Sequence, residues 1–261
     1  MAEPLFPHGG VAFIGAGPGD PDLLTVKAAR LIGQADLVLY AGSLVSPAVV
    51  ALARADARVV DSAPLSLAET HALLVATARQ GGLAARVHTG DPSLFGALSE
   101  QARLLDADGI PYTVVPGVTS AAAAAAAFGV SVTEPEATQT LILTRLAGRT
   151  PMPPGESLAS LAGHGASLAV YLAAGNPEGL AEALRQGGLA GETPVAVAHR
   201  LGWPGEKRFW ATIDTLVQTV RAAAIDRQTL FLVLPGLGRG VPSHLYDPSF
   251  GHGFRPARED G

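Results

Sequence analysis

The first half of the chain alternates short apolar runs with amphipathic stretches. Val11–Gly15 (VAFIG) is an apolar run that opens into a glycine loop, the pattern of a buried strand. Asp22 then predicts the cap of a helix on which Leu24, Ala28 and Leu31 share one face. Ala35–Tyr40 (ADLVLY) reads as the next strand, and Ser46-Pro47 places a capping serine before a proline suited to the first helical position. Arg58–Asp61 is a short strand. Ser66-Leu67-Ala68-Glu69 has the spacing of a capping box, and Gly81 ends the helix it starts. Ala84–Thr89 and Tyr112–Val115 are further strands, separated by a helix from about Ala97 to Asp108. Strands that alternate with helices predict an α/β layer on a mainly parallel sheet.

Seven consecutive alanines, Ala121 to Ala127, follow Pro116-Gly117-Val118-Thr119-Ser120. Alanine is the strongest helix former and Thr119 or Ser120 can cap, so a tightly packed helix is expected here. Glu134-Pro135-Glu136 is a candidate linker. Beyond it, Thr140–Arg145, Ser167–Leu172, Val195–Arg200, Arg208–Ile213 and Leu230–Leu234 read as strands, with helices over Pro177–Gln186 and Asp214–Ala224. Strand follows strand around Trp203-Pro204-Gly205, which predicts a hairpin and a mixed sheet. The expected organisation is one α/β domain over residues 1–134, a second over 135–240, and a loosely ordered tail over 241–261, rich in Pro, Gly, Ser and His.

Composition removes several functions. With 261 residues, 48% of them hydrophobic and 16% charged, the chain can bury a sizeable core. Its 18 Lys and Arg against 23 Asp and Glu give a net charge of −5 with no long basic run, which argues against nucleic-acid binding. The absence of cysteine excludes disulfides, thiolate nucleophiles and iron–sulfur clusters. No apolar run reaches the ~18–20 residues that span a bilayer, and Met1–Gly10 does not resemble a signal peptide, so a cytoplasmic protein without membrane segments is expected. The seven histidines show no H-x-x-x-H or H-E-x-x-H spacing, so no metal site is expected.

Candidate chemistry sits at the glycine loops. Gly15-Ala16-Gly17-Pro18-Gly19-Asp20 follows a strand, as a dinucleotide fingerprint would, but Pro18 removes an N–H that a pyrophosphate cradle uses and Asp36 stands at the wrong end of the next strand. NAD or FAD binding, and with it an oxidoreductase, is the weaker reading. His88-Thr89-Gly90-Asp91-Pro92-Ser93-Leu94-Phe95-Gly96 forms a second loop after a strand, and Pro116–Ser120 a third. Open α/β sheets bind ligands beyond the carboxyl ends of their strands, so three such loops would converge on one crevice. Asp91 adds a carboxylate suited to a cation or an ammonium.

GAGPGDPDLLTVKA (Gly15–Ala28), HTGDPSLFG (His88–Gly96) and PGVTSAAAA (Pro116–Ala124) give the chain, from Val11 to about Gly238, a resemblance to the tetrapyrrole (corrin/porphyrin) methylase family. That resemblance implies two α/β domains with a cofactor cleft between them, a homodimer, and methyl transfer from S-adenosylmethionine with S-adenosylhomocysteine as product. Within the family, YAGSLV (Tyr40–Val45), TQTLILTRLAGRTPMP (Thr138–Pro153) and the WPGEK turn (Trp203–Lys207) resemble the members that methylate C11 of a reduced, polycarboxylated precorrin. Methylation of the cobalt-containing precursor, methylation at another ring position, and a tetrapyrrole-binding module without catalysis stay open.

The resemblance also implies a cofactor site. Thr89, Gly90, Asp91 and Leu94 would hold the methionine portion, with Thr119 and Ser120 beside it. Leu172, Leu201, Thr229 and Leu230 would surround the adenosine, and Pro18 would line the site. A polycarboxylate substrate on a net-negative protein needs local cations. Arg145 and Arg149 are the first candidates for bidentate carboxylate contacts, with His88, His199, Arg200 and Lys207 behind them. Ser43 is a candidate hydrogen-bond donor to the substrate. Some relatives carry an Asp directly after the tyrosine that ends the second strand; here Tyr40 is followed by Ala41-Gly42-Ser43, so no catalytic base is assigned.

Overall fold

The computed structural model describes residues 6–148 and 150–257, and contacts divide the chain into two compact units. One holds the residues up to Ala123 together with Arg200–Lys207; the other holds Ala124–His199 and the residues from Arg208 onward.

In the first unit β1 (Gly10–Gly15), β2 (Leu37–Tyr40), β3 (Arg58–Asp61), β4 (Leu83–His88) and β5 (Tyr112–Val115) form a sheet in the order β3-β2-β4-β1-β5. Every pairing is parallel. Parallel neighbours require crossover connections, and α1 (Val26–Gln34), α2 (Pro47–Val50), α3 (Leu67–Arg79) and α4 (Leu98–Ala107) lie within them. Alternate residues of β1 serve opposite faces: Ala12 and Ile14 pack with Leu31 and Val49, whereas Val11 and Phe13 pack with Leu74 and Leu105. Helices thus cover both faces of the sheet, and β1 is buried along its whole length. The strand order also sets β4, β1 and β5 side by side, so the three glycine-bearing loops leave adjacent strand ends.

The helix after β1 begins later than Asp22 suggests. Asp20 caps a single 3-10 turn at Pro21–Leu23, and Thr25 caps α1, its Oγ1 accepting the Ala28 N–H at 3.1 Å. Leu24 lies between the two in extended backbone, because Asp20-Pro21 closes a turn of its own before the helix starts. The other caps form as expected: Ser46 with Pro47 on α2, and the Ser66–Glu69 capping box on α3.

The alanine run forms most of α5 (Ser120–Phe128), with Ala121 and Ala124 buried; the division between the units falls within this helix, and beyond it the second unit builds a mixed sheet. Its strands are β6 (Leu141–Arg145), β7 (Ser167–Tyr171), β8 (Pro194–His199), β9 (Lys207–Thr212) and β10 (Thr229–Val233), in the order β6-β7-β10-β8-β9. β6 is parallel to β7, and β10 is antiparallel to β7 and β8. Leu168, Val170, Val197 and Phe231 pack against Leu158 of α6 (Leu158–Ala162), Leu180 and Leu184 of α7 (Pro177–Gln186), and Val220 of α8 (Leu216–Ala222). The short α6 escapes the periodicity reading, since five residues offer little more than one turn of pattern.

The antiparallel β10 pairs Thr229 with His199. One end of this sheet therefore carries the residue after β7, the residue after β8 and the residue before β10. These are Leu172, Arg200 and Gln228, with φ of +56°, +52° and +49°. Three non-glycine residues in the left-handed region mark this end as strained.

Residues 241–257 carry local order of their own. Ser243 caps a 3-10 turn at His244–Tyr246, and the Arg255 guanidinium donates to the carbonyls of Leu245, Asp247 and Phe250. Among the described residues no helix is long and apolar enough to cross a membrane.

Candidate functional site

The three loops meet by backbone contact at the carboxyl ends of β4, β1 and β5. Gly17 and Gly90, both with positive φ, exchange two hydrogen bonds of 3.2 and 2.8 Å, and the Ala16 N–H donates to the His88 carbonyl at 2.7 Å. A Cβ on Gly117 would stand 2.1 Å from the Gly90 oxygen, and one on Gly15 would stand 2.5 Å from the Gly117 nitrogen. Only residues without side chains allow this crossing. The same bonds explain why the first loop is not a dinucleotide cradle. Its Ala16 and Gly17 N–H groups are spent on the second loop, and the sheet lacks the dinucleotide-fold order because β1 is flanked by β4 and β5.

Asp91 fastens the crossing. Its Oδ2 accepts the Gly117 N–H at 2.9 Å, and its Oδ1 accepts the Ser93 N–H at 2.9 Å and the Ser93 hydroxyl. Burial pushes the carboxyl upward, but these hydrogen bonds outweigh it and hold the group below the usual carboxylate range. The carboxylate that the sequence offers to an external cation is thus engaged inside the protein, tying the second loop to the third.

Seven of the cofactor-site candidates gather around this crossing: Pro18, Thr89, Gly90, Asp91, Leu94, Thr119 and Ser120. The Thr119 Cα lies 3.9 Å from the Cβ position of Gly90, which otherwise faces open space. Thr119 Oγ1 accepts the Ala121 N–H at 3.3 Å. Leu201 is buried in the same unit, its carbonyl 2.7 Å from the Cβ position of Gly19. Leu172, Thr229 and Leu230 belong to the second unit, at the strained end of its sheet. Leu172 is 73% exposed, an unusual state for a leucine held in a left-handed conformation. Leu230 is buried, and the Thr229 hydroxyl is bonded to the Arg227 carbonyl and to His199.

The substrate candidates fare differently. Ser43 is exposed on the turn after β2, where the Gly42 N–H is anchored on Asp61 at 3.0 Å. His88 is buried at the end of β4; burial, with the nearby Arg86 charge, pushes its imidazole down to about 3. It is neutral near pH 7 and has no charge to offer a carboxylate. Arg145, at the end of β6, turns its guanidinium onto the carbonyls of Leu146, Thr150 and Pro151, the last at 2.7 Å, and so wraps the following loop around itself. Arg149 lies outside the described residues.

Two residues near these loops are not among the site candidates read from the sequence. The Trp203 indole N–H donates to the Pro18 carbonyl at 3.0 Å, and Gly19 leaves room for the ring. The contact joins residues 185 positions apart, which no local pattern reveals. Arg86, half-buried on β4, donates to Ser62 Oγ at 2.8 Å and to Gln101 Oε1 at 3.1 Å. Gln101 in turn holds the carbonyls of Gly96 and Ala97. Desolvation lowers the guanidinium to about 10. A charged residue inside an otherwise apolar strand was the available clue.

Comparison with known proteins agrees with this geometry. Residues 10–217 match the family model for tetrapyrrole (corrin/porphyrin) methylases. A precorrin-4 C(11)-methyltransferase of Pseudomonas aeruginosa is 47% identical over 94% of the chain and 98% of its own length. A cobalt-precorrin-4 C(11)-methyltransferase of Priestia megaterium is 42% identical over 93% of the chain and 96% of its own. Among solved structures, a cobalt precorrin-4 methyltransferase superposes with a TM-score of 0.83 at 42% identity, covering 85% of this chain and 93% of that one. The uroporphyrin-III C-methyltransferase of Thermus thermophilus, solved with S-adenosylhomocysteine, gives 0.72 at 30% identity, covering 88% and 94%. The chain belongs to the tetrapyrrole (corrin/porphyrin) methylases.

Proposed function

We propose that the protein transfers the methyl group of S-adenosylmethionine to C11 of precorrin-4, giving precorrin-5, in cobalamin biosynthesis. The observation that carries this reading is the near full-length likeness, above 40% identity, to relatives named for that one ring position. The residues fit such a cofactor. The glycine crossing carries no side chain at Gly90, whose Cβ position meets only the Thr119 Cα, at 3.9 Å, so a ligand can approach the loop closely there. In this reading Pro18, Thr89, Gly90, Leu94, Thr119, Ser120, Leu172, Leu201, Thr229 and Leu230 form the cofactor site, with Asp91 bracing the loops. Ser43 is retained as a substrate contact, and Arg145 as a residue that shapes the loop after β6.

S-adenosylmethionine supplies an already activated methyl on a sulfonium. The protein is then left with positioning, which supplies ~7–11 kcal/mol of barrier reduction in favourable cases. Apolar surroundings favour a step in which the sulfonium charge is lost. No side chain is assigned as the base for the departing proton. The protein acts in this reading as a cytoplasmic homodimer, which sedimentation equilibrium tests.

The second reading, methylation of cobalt-precorrin-4, is favoured by the relatives named for that substrate. Incubation with isotopically methyl-labelled S-adenosylmethionine and each substrate, followed by NMR, separates the two. Label at C11 of the metal-free substrate supports the proposal. Label only in the cobalt form reverses the pathway, and label in neither overturns both.

A further inference from the structure

With Arg145 committed to backbone carbonyls and His88 neutral, the site needs another cation for a polycarboxylate. We propose that Arg200 binds a side-chain carboxylate of the tetrapyrrole, held ready by Trp203; this rests on the tetrapyrrole-methylating reading above. Arg200 is the residue directly after β8 and is held at φ +52°. Its guanidinium carbon lies 5.5 Å from the centroid of the Trp203 ring, and that ring is itself fixed by its N–H bond to the Pro18 carbonyl. A cation–π contact of this kind restrains the guanidinium while leaving its two Nη groups without a protein partner among the described residues.

The guanidinium has no hydrogen-bond or ion-pair partner among the described residues, and its Nε is shut away from water without one. The loop's own acid, Glu206, turns an oxygen to the Gly202 N–H at 2.8 Å. Other arginines contrast with this. Arg54, Arg79, Arg185 and Arg221 pair with carboxylates, and Arg86 is hydrogen-bonded inside the first unit. A guanidinium restrained by Trp203 and left without a protein partner among the described residues is suited to a bidentate carboxylate through its two Nη groups. The methionine carboxylate of the cofactor is the competing source of that group, and the test must separate the two.

Three variants, Arg200→Met, Arg200→Lys and Trp203→Phe, are to be compared with the unaltered protein. The measurements are KM for the precorrin, Kd for S-adenosylhomocysteine by calorimetry, and Kd for uroporphyrin, an eight-carboxylate probe, by fluorescence quenching. Arg200→Met is expected to raise the precorrin KM and the uroporphyrin Kd about 10–100-fold while leaving the S-adenosylhomocysteine Kd within about twofold. Arg200→Lys keeps the charge without the fork and should recover part of the loss; Trp203→Phe keeps a ring and should lose less than Arg200→Met. An unchanged uroporphyrin Kd in Arg200→Met overturns the proposal. So does an equal loss of S-adenosylhomocysteine affinity, which would assign Arg200 to the cofactor. If the unaltered protein methylates neither precorrin, the reaction assignment fails, and Arg200 is still judged on uroporphyrin binding; no binding by the unaltered protein overturns it too.

Discussion

His88 and Asp91, three residues apart, show how one loop holds two ionisable groups in opposite circumstances. The imidazole is buried and titrates near 3, far below the 6.5 of an exposed histidine. Between those values the unfolded chain takes up a proton that the folded protein refuses, so stability falls as pH drops from 6.5 toward 3. The slope is at most ~1.4 kcal/mol per pH unit for one group. His88→Gln should flatten the stability curve between pH 6.5 and 4.5, measured by urea unfolding at several pH values; a parallel curve would mean that His88 is charged in the folded state. Asp91, though charged where His88 is neutral, follows the same linkage, because its pKa is also lowered on folding. Its lowered carboxyl stabilises the fold above the ordinary value of 3.8, and that contribution disappears only in stronger acid. Asp91→Ala frees the Gly117 N–H and the Ser93 hydroxyl together, so it should lower both Tm and S-adenosylhomocysteine affinity, the latter about tenfold. Calorimetry with unchanged affinity would remove the loop from the cofactor site.

At the scale of elements, the contact between loops matters more than any single strand or helix. Gly117→Ala would drive a methyl into the Gly90 carbonyl at the point where β4, β1 and β5 release their loops. Overpacking of this kind costs ~1–3 kcal/mol, and here the displaced atoms are backbone with nowhere to yield. The expected result is a lower Tm and no measurable S-adenosylhomocysteine binding; normal binding would show that the loops are free to part. Thr25→Ala offers a contrast, since it removes only the cap of α1, costs about 1 kcal/mol and should leave the loop crossing in place. The caps, the alanine helix and most strands were legible because each is written in a few consecutive residues. Asp22 misled because two capping residues, Asp20 and Thr25, flank it and a proline turn separates them.

For the whole molecule, a ligand that binds only the folded chain must raise its stability. S-adenosylhomocysteine at 100 times its Kd should add ~2.7 kcal/mol, visible as a shift in Tm, and NADH at the same concentration should add none. A shift with NADH alone would overturn the cofactor assignment. The two units bury separate cores, so the shift also reports whether one unfolding transition or two respond to the ligand.

The sequence by itself determined the alternation of strands and helices, the parallel first sheet, the mixed second sheet and the three glycine loops. These depend on periodicity, caps and turn residues, which act over a few positions. It also carried the family motifs, from which the candidate cofactor residues followed. Only the tertiary structure decided how those groups are spent. Asp91 reads as a free carboxylate, yet Gly117 and Ser93 occupy it; Arg145 reads as a substrate cation, yet the carbonyls around it take up its donors. Arg200 and Trp203 acquire their relation to Pro18 only when the chain returns after 185 residues. Whether a polar group is available to a ligand depends on which partners reach it first. Those partners come from distant parts of the chain, and no short stretch of sequence specifies them.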